Sequence, residues 1–262
     1  MAAEVEVVTS ADGTSIAYER TGSGPALILV DAALHYRAFS SFEGLIGLLK
    51  QHFTVFHYDR RGRGDSADTP PYAVAREVED LAALIDRAGG SACVFGFSSG
   101  GLLALHAAAG GTAITRLALL EPPIATEDER PAQAEFTAAI TRLLAAGQRS
   151  DAVDHVLRSV GLPEEMLAEM RDGPAWSAME AVAHTLVYDS TISEQMSYKL
   201  LASVAVPTLV LDSRGSGSEL TGMAATVAAR LPNAVHQSLP GQWHGVADDV
   251  LAPALREFLA GA

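Results

Sequence analysis

The chain has 262 residues, of which 48% are hydrophobic and 19% are charged. A chain of this composition can bury a hydrophobic core, which excludes a disordered protein. Its net charge of −14 disfavours nucleic acid and anionic membrane surfaces as partners, because both call for basic patches. The single cysteine, Cys93, cannot form an internal disulfide and is expected to be buried. The acidic N-terminus does not read as a signal peptide, so we expect a cytoplasmic protein.

The first half of the chain alternates short apolar runs with amphipathic stretches. Strands are predicted over residues 4–9, 15–20, 26–30, 53–58 and 92–95, and helices over 39–49, 74–88 and 102–109. The stretch between Arg87 and Arg116 carries no charged residue, but pairs of glycines interrupt it. We therefore expect it to form the centre of a sheet and not a membrane span.

The second half contains one long segment without strand signals. A strand over 116–121 stops at Pro122-Pro123, and a helical pattern then runs from 125 to 203. Strands at 207–212 and 235–239 alternate with helices at 218–231 and 250–259. Such alternation predicts a mainly parallel sheet. We expect residues 1–124 and 204–262 to build one core, with 125–203 inserted as a cap.

Residues 96–100 read Gly-Phe-Ser-Ser-Gly, between the strand over 92–95 and the helix that follows. A G-x-S-x-G sequence in this context predicts a sharp turn that exposes Ser98 as a nucleophile. The backbone N–H of Ser99, at the start of the helix, would point at a developing oxyanion. The alternative is an ordinary Gly/Ser loop of an α/β protein.

A serine hydroxyl needs a base and a group that orients that base. Of eight histidines, only His244 lies in a loop after a late strand, as the chain order serine, acid, histidine requires. The alternative for His244 is a surface loop histidine. His35 follows the third strand and is a candidate pocket residue.

Three segments together resemble the α/β-hydrolase family: residues 96–100, the loop Asp-Arg-Arg-Gly-Arg-Gly-Asp-Ser over 59–66, and Gly-Gln-Trp-His over 241–244. The resemblance covers about residues 5–259. It implies an α/β-hydrolase fold, with a mainly parallel eight-stranded sheet flanked by helices and a helical cap, and with Ser98 as nucleophile and His244 as base. Arg60 and Arg61 are expected to belong to a structural turn.

The acid departs from the commonest family pattern, in which a carboxylate follows the strand that ends near Leu211. Here residues 213–218 contain no carboxylate, and Asp212 lies at the strand end itself. In a second family arrangement, the acid follows the next strand after the helix that begins beside Ser98. This chain has Glu121 at that position. We favour Glu121 and keep Asp212 in reserve; the alternative for Glu121 is an exposed hinge residue. The glutamate arrangement resembles haloalkane dehalogenases and zearalenone-type lactone hydrolases, and the serine favours the latter or similar esterases.

Family comparison places a second oxyanion donor at Ala33, with Ala32 as the less favoured choice. Many relatives have His-Gly where this chain has Asp31-Ala32, so the added methyl group narrows the expected site. On the cap, Trp176 and Tyr188 are expected to line the cavity, although the helix pattern of this stretch is more often typical of core packing.

These features predict a serine hydrolase that cleaves an ester or lactone of a small molecule through an acyl-enzyme. No cofactor or metal is expected, because neither metal-ligand spacing nor a phosphate-binding loop occurs. Two alternatives stay open. One is a lyase, cyclase or perhydrolase on the same fold, and the other is a slow-turnover ligand receptor.

Overall fold

A computed structural model describes residues 4–125 and 129–261. Its eight strands form one sheet in the order β1-β2-β4-β3-β5-β6-β7-β8. The strands are β1 (Val5–Thr9), β2 (Ser15–Gly22), β3 (Ala26–Val30), β4 (Thr54–Tyr58), β5 (Ala92–Phe97), β6 (Ile114–Leu120), β7 (Thr208–Ser213) and β8 (Ala234–Leu239). Strands β1, β2 and β4 pair antiparallel, and every other neighbouring pair is parallel. The predicted mainly parallel, eight-stranded sheet is confirmed.

Helices cover both faces of the sheet, which explains why its central strands are apolar throughout. The flanking helices are α1 (Glu43–Leu49), α2 (Val74–Arg87), α3 (Ser99–Ala109), α10 (Ser218–Arg230) and α11 (Asp248–Leu259). All six residues of β5 are buried. One core cluster joins the sheet to α2, α3 and α10, and a second joins its other face to α1 and α11. Cys93 is buried in the second cluster, as predicted.

Six helices lie between β6 and β7, and within the described residues this stretch contains no strand. They are α4 (Arg130–Ala145), α5 (Arg149–Ser159), α6 (Glu164–Asp172), α7 (Pro174–Ala181), α8 (Leu186–Glu194) and α9 (Tyr198–Ser203), with a 3₁₀ turn at Ala183–Thr185. A third apolar cluster packs α4 to α8 together and includes Leu34 from the loop after β3. We call α4–α9 the helical insertion. The division of the chain into domains at 124/125 and 203/204 stays a prediction.

The starts of α1 and α11 differ from the predicted helix boundaries. Helix α1 begins at Glu43, four residues later than predicted, because Tyr36 pairs with Phe39 and the Ser40 hydroxyl donates to Asp31. Helix α11 begins at Asp248, two residues earlier than predicted, with acidic residues in its first turn that suit a helix N-terminus. Across 4–125 and 129–261, no helix has both the length and the apolar character to cross a bilayer.

Candidate active site

Ser98 occupies a strained turn between β5 and α3. Its φ of 51° and ψ of −124° are unusual for a residue with a side chain, at a cost of roughly 1–3 kcal/mol. The Ser98 N–H donates to the Leu120 carbonyl at 2.9 Å and so ties the turn to β6. A Cβ at Gly96 or Gly100 would overlap backbone atoms of the neighbouring turn or of β3. The two glycines therefore permit the close approach that holds Ser98 in this conformation.

His244 and Glu121 form a close side-chain pair. His244 Nδ1 lies 2.6 Å from Glu121 Oε2, and the Glu121 side chain is fully buried. Both residues have a φ of 47°, the left-handed region that side chains rarely adopt. Because an ionised carboxylate can only accept hydrogen bonds, Nδ1 is the donor in this pair.

The Glu121 carboxylate is held in its charged form. Burial raises its pKa, but hydrogen bonds from His244, the Ser216 hydroxyl and the Ser213 N–H outweigh burial and leave the pKa below its ordinary value. The Ser213 N–H donates to Glu121 Oε1 at 2.8 Å. The hinge alternative for Glu121 is wrong, because the residue is buried and its carboxylate is bonded on both oxygens.

The loop after β7, residues 213–218, supports this pair although it supplies no carboxylate. Ser216 Oγ accepts from the backbone N–H of His244 at 2.9 Å, and Ser213 Oγ donates to the Gln242 carbonyl at 2.6 Å. A Cβ at Gly215 or Gly241 would overlap atoms of the opposite loop. Sequence reasoning did not single out Ser213 and Ser216. The Gly/Ser composition of both loops was the available signal for so close a contact.

Asp212, the reserve acid, is bonded elsewhere. Its Oδ2 lies 2.5 Å from His236 Nε2 and accepts from the Ser238 hydroxyl at 3.1 Å. Both partners belong to β8, next to β7 in the sheet. The structure thus brings Glu121, and not Asp212, to His244.

Ser98 lies at the wall of a cavity of about 470 Å³ between the sheet and the helical insertion. Ser99 and Ala33 line it beside Ser98. The backbone N–H groups of Ala33 and Ser99 have no acceptor within the part of the chain that the structure describes. Most of the remaining wall is apolar and includes Leu102, Phe136, Ile140, Val156, Leu186, Leu220, Met223 and Trp243.

No hydrogen bond joins Ser98 Oγ to His244 Nε2 within residues 4–125 and 129–261. Phe97, the residue before Ser98, contacts His244, with ring centroids 4.8 Å apart. Hydrogen bonds of this kind are often long in unliganded enzymes and shorten when substrate binds.

Three predicted pocket residues are absent from the described lining of this cavity. Trp176 is buried inside the insertion, where its indole donates to the Ser150 hydroxyl and to Glu180. Tyr188 stacks on Tyr72, with ring centroids 3.9 Å apart. Helix packing takes up both side chains, so their prediction as cavity residues is wrong.

His35, the third predicted pocket residue, also lies away from the wall. Its Nδ1 lies 2.9 Å from the Ala33 carbonyl, and its ring stacks on Phe39 with centroids 5.4 Å apart. The loop that carries His35 does reach the cavity, through Ala33. The residue of this loop that lines the cavity is thus Ala33 and not His35.

A buried ionic cluster connects the 59–66 loop to the insertion, and sequence reasoning did not predict it. Asp189 of α8 lies 2.6 Å from both Arg60 and Arg63 and accepts from the Ser99 hydroxyl at 2.8 Å. Arg60 also pairs with Glu77 of α2. Of these residues, Asp189 and Ser99 line the cavity. Among the described residues, no group of three His, Cys, Asp or Glu side chains is arranged to hold a metal ion.

The sequence profile of the alpha/beta hydrolase family matches residues 23–255. The chain belongs to the alpha/beta hydrolase family. The crystal structure of an alpha/beta hydrolase from Sphaerobacter thermophilus superposes on this chain with a TM-score of 0.89 and is 49% identical, covering 97% of this chain and 99% of that one.

The chain is also similar to proteins that carry an enzyme name. The pimeloyl-[acyl-carrier protein] methyl ester esterase of Xanthomonas campestris is 31% identical over 262 residues, 91% of this chain and 96% of that enzyme. The enzyme of the same name from Xylella fastidiosa is 40% identical over 93 residues, so the matched segment spans about a third (34%) of its length. The enol-lactonase from Burkholderia xenovorans, at 21% identity and a TM-score of 0.72 over 97% of this chain and 100% of that one, is similar in fold.

Proposed function

We propose that the protein is a serine hydrolase that cleaves a carboxylic ester or lactone of a small molecule through an acyl-enzyme. The observation that carries this proposal is the His244–Glu121 pair beside the Ser98 turn. A buried, ionised carboxylate on Nδ1 sets the imidazole tautomer that can accept a proton at Nε2. Ser98, His244 and Glu121 are the proposed nucleophile, base and orienting acid.

In the proposed first half-reaction, His244 Nε2 takes the Ser98 proton as Oγ attacks the ester carbonyl carbon. The N–H groups of Ser99 and Ala33 donate to the oxyanion of the tetrahedral intermediate. The carbon–oxygen bond to the leaving alcohol then breaks, and His244 returns the proton to that oxygen. In the second half-reaction His244 activates water, which attacks the acyl-enzyme and releases the carboxylic acid and Ser98.

The substrate class follows from the cavity and from the relatives. A cavity of about 470 Å³ with a mainly apolar wall suits a small, uncharged organic ester. The relatives named as methyl ester esterases favour an ester bond as the target. A small-molecule ester or lactone is therefore the proposed substrate.

The proposal is tested with the Ser98→Ala variant on a panel of p-nitrophenyl esters and macrolactones. We expect kcat to fall by about 10⁴–10⁶-fold, because the acyl-enzyme cannot form. Ser177→Ala, which removes an exposed hydroxyl on α7, serves as the matched control and should retain the parental rate. Turnover by Ser98→Ala within about tenfold of the parent would refute the mechanism.

Trapping of the covalent intermediate separates this proposal from its alternatives. Rapid acid quench followed by mass spectrometry should show an acyl group on the peptide that contains Ser98. A lyase, cyclase or perhydrolase in which Ser98 acts only as acid or base would turn over substrate without that adduct. A receptor would bind ligand and release no product on long incubation.

A further inference from the structure

Arg63 is hydrogen-bonded to the loop that carries Ala33. Its side chain is buried, and Nη1 donates to the Ala32 carbonyl at 2.7 Å and to the His35 carbonyl at 3.1 Å. Its other terminal nitrogen, Nη2, lies 2.6 Å from Asp189 of α8. One guanidinium therefore connects the loop after β3 to the helical insertion.

The contact with the Ala32 carbonyl sets the direction of the Ala33 N–H, because both belong to one peptide unit. A trans peptide is planar and its C=O and N–H point in opposite directions. While Arg63 holds the Ala32 carbonyl, the Ala33 N–H must point away from Arg63. That N–H has no protein acceptor among the described residues, and Ala33 lines the cavity.

The same aspartate also reaches the other proposed oxyanion donor. Asp189 Oδ1 accepts from the Ser99 hydroxyl at 2.8 Å, and Ser99 supplies the first N–H of α3. Thus Asp189 contacts the side chain of one donor residue directly and the peptide of the other through Arg63. Rotation of either donor would break a charged hydrogen bond inside the protein.

The negative charge of Asp189 lies beside the cavity, but Arg60 and Arg63 balance it, so that it does not repel an oxyanion. Burial raises the pKa of Asp189, but Arg60 and Arg63 outweigh burial and leave the pKa lowered, so the carboxylate is ionised. Arg60 is shared with Glu77, which makes two positive and two negative charges in contact. Breaking such a buried pair on one side leaves an uncompensated charge and is costly.

We propose that Arg63 and Asp189 are positioning residues that orient the Ala32–Ala33 peptide and Ser99, so that the insertion controls the oxyanion site. This inference rests on the proposed function, since it assigns the orientation of the proposed oxyanion donors. It makes the insertion part of the machinery that stabilises the transition state, in addition to being a wall of the cavity.

The kinetic test uses Arg63→Met and the milder Asp189→Asn. We expect Arg63→Met to lower kcat by about 10²–10³-fold, the usual loss for one oxyanion donor, with KM within about threefold. Arg63→Lys should recover part of the rate by donating to the Ala32 carbonyl. Asp189→Asn should lower kcat in the same direction. Inactivation by a neutral fluorophosphonate, which forms a tetrahedral adduct, should slow in parallel with kcat.

The matched control is Asp80→Asn. It breaks the buried pair of Asp80 with Arg61, which lies in the same loop but does not touch Asp189 or the Ala32 carbonyl. We expect it to lower thermal stability like the Asp189 variant while kcat stays within about threefold of the parent. Equal losses of kcat in the Asp80 and Asp189 variants would overturn the proposal, because both would then act through stability.

A structural readout keeps this inference separate from the proposed hydrolase function. A crystal structure of Arg63→Met, or of Asp189→Asn if that variant alone folds, should show the Ala32–Ala33 peptide rotated. The amide resonance of Ala33 should shift in the same variants. An unchanged peptide would overturn the inference whether or not any ester is cleaved. If the wild-type protein cleaves no ester but the peptide rotates, the proposed function alone fails.

Discussion

At the residue scale, the acid of the proposed triad is the most informative position. Glu121 follows β6 with a φ of 47°, and this backbone turn places its carboxylate beside His244. Asp212 is the last residue but one of β7, and its side chain pairs with His236 of β8. Leu120 pairs with Leu211, so Glu121 and Asp212 lie level on neighbouring strands, and the positive φ at Glu121 gives the two carboxylates different partners.

We expect Glu121→Gln to lower kcat by about 10³–10⁴-fold, because the amide cannot stabilise the imidazolium cation and favours the wrong tautomer. Steady-state kinetics on the best ester substrate measures this loss. Asp212→Asn is the control, and its kcat should stay within about threefold of the parent. The opposite order of the two losses would make Asp212 the acid.

At the element scale, the packing of α3 against β3 holds the site together. Gly100 lies in the first turn of α3, against the carbonyl groups of Val30 and Asp31 at the end of β3. This contact places the Ser98 turn beside the loop that carries Ala33. Glycine is therefore needed at position 100 because any side chain there would push α3 away from the end of β3.

Gly100→Ala should destabilise the fold by about 1–3 kcal/mol, since its Cβ would overlap two backbone oxygens that cannot move independently. Urea unfolding gives the change in free energy. Gly222→Ala in α10 is the control: nothing lies within 4 Å of its added Cβ, so we expect a gain of roughly 0.5–1 kcal/mol. A neutral effect of Gly100→Ala would show that α3 and β3 can separate at no cost.

At the scale of the whole molecule, charge and cavity favour the same substrates. The chain carries a net charge of −14, and the cavity wall includes Glu129, Asp189 and Glu219. Within the described residues the wall has no lysine or arginine. A carboxylate in this cavity would lose its hydration and gain no cationic partner.

We therefore expect the enzyme to discriminate against anionic esters. Mono-p-nitrophenyl adipate and its neutral methyl ester carry the same six-carbon acyl chain. We expect kcat/KM to be about 10²-fold lower, or more, for the free acid than for the methyl ester. p-Nitrophenyl hexanoate is the control for chain length alone and should resemble the neutral diester. Similar kcat/KM values for the acid and its methyl ester would show that the acyl chain does not enter the apolar cavity.

The sequence alone was sufficient for the sheet and for the turn at Ser98 between β5 and α3, and it supplied His244 as the candidate base. These features depend on local patterns: apolar runs for buried strands, glycines around Ser98, and chain order for the histidine. The boundaries of α1 and the orientation of Trp176 and Tyr188 were not predictable in this way. Trp176 and Tyr188 contact Ser150 and Tyr72, which are distant in the chain. The start of α1 depends on how residues 36–40 fold back and bond to Asp31.

Only the folded chain could select between Glu121 and Asp212 as the partner of His244. Both end neighbouring parallel strands, so their local sequence is compatible with the same role. The selection comes from the backbone angle at Glu121 and from the loops after β7 and β8, which bond its carboxylate and leave Asp212 to His236. The Arg63–Asp189 link is of the same kind, because residues 126 positions apart meet only when the insertion packs on the sheet.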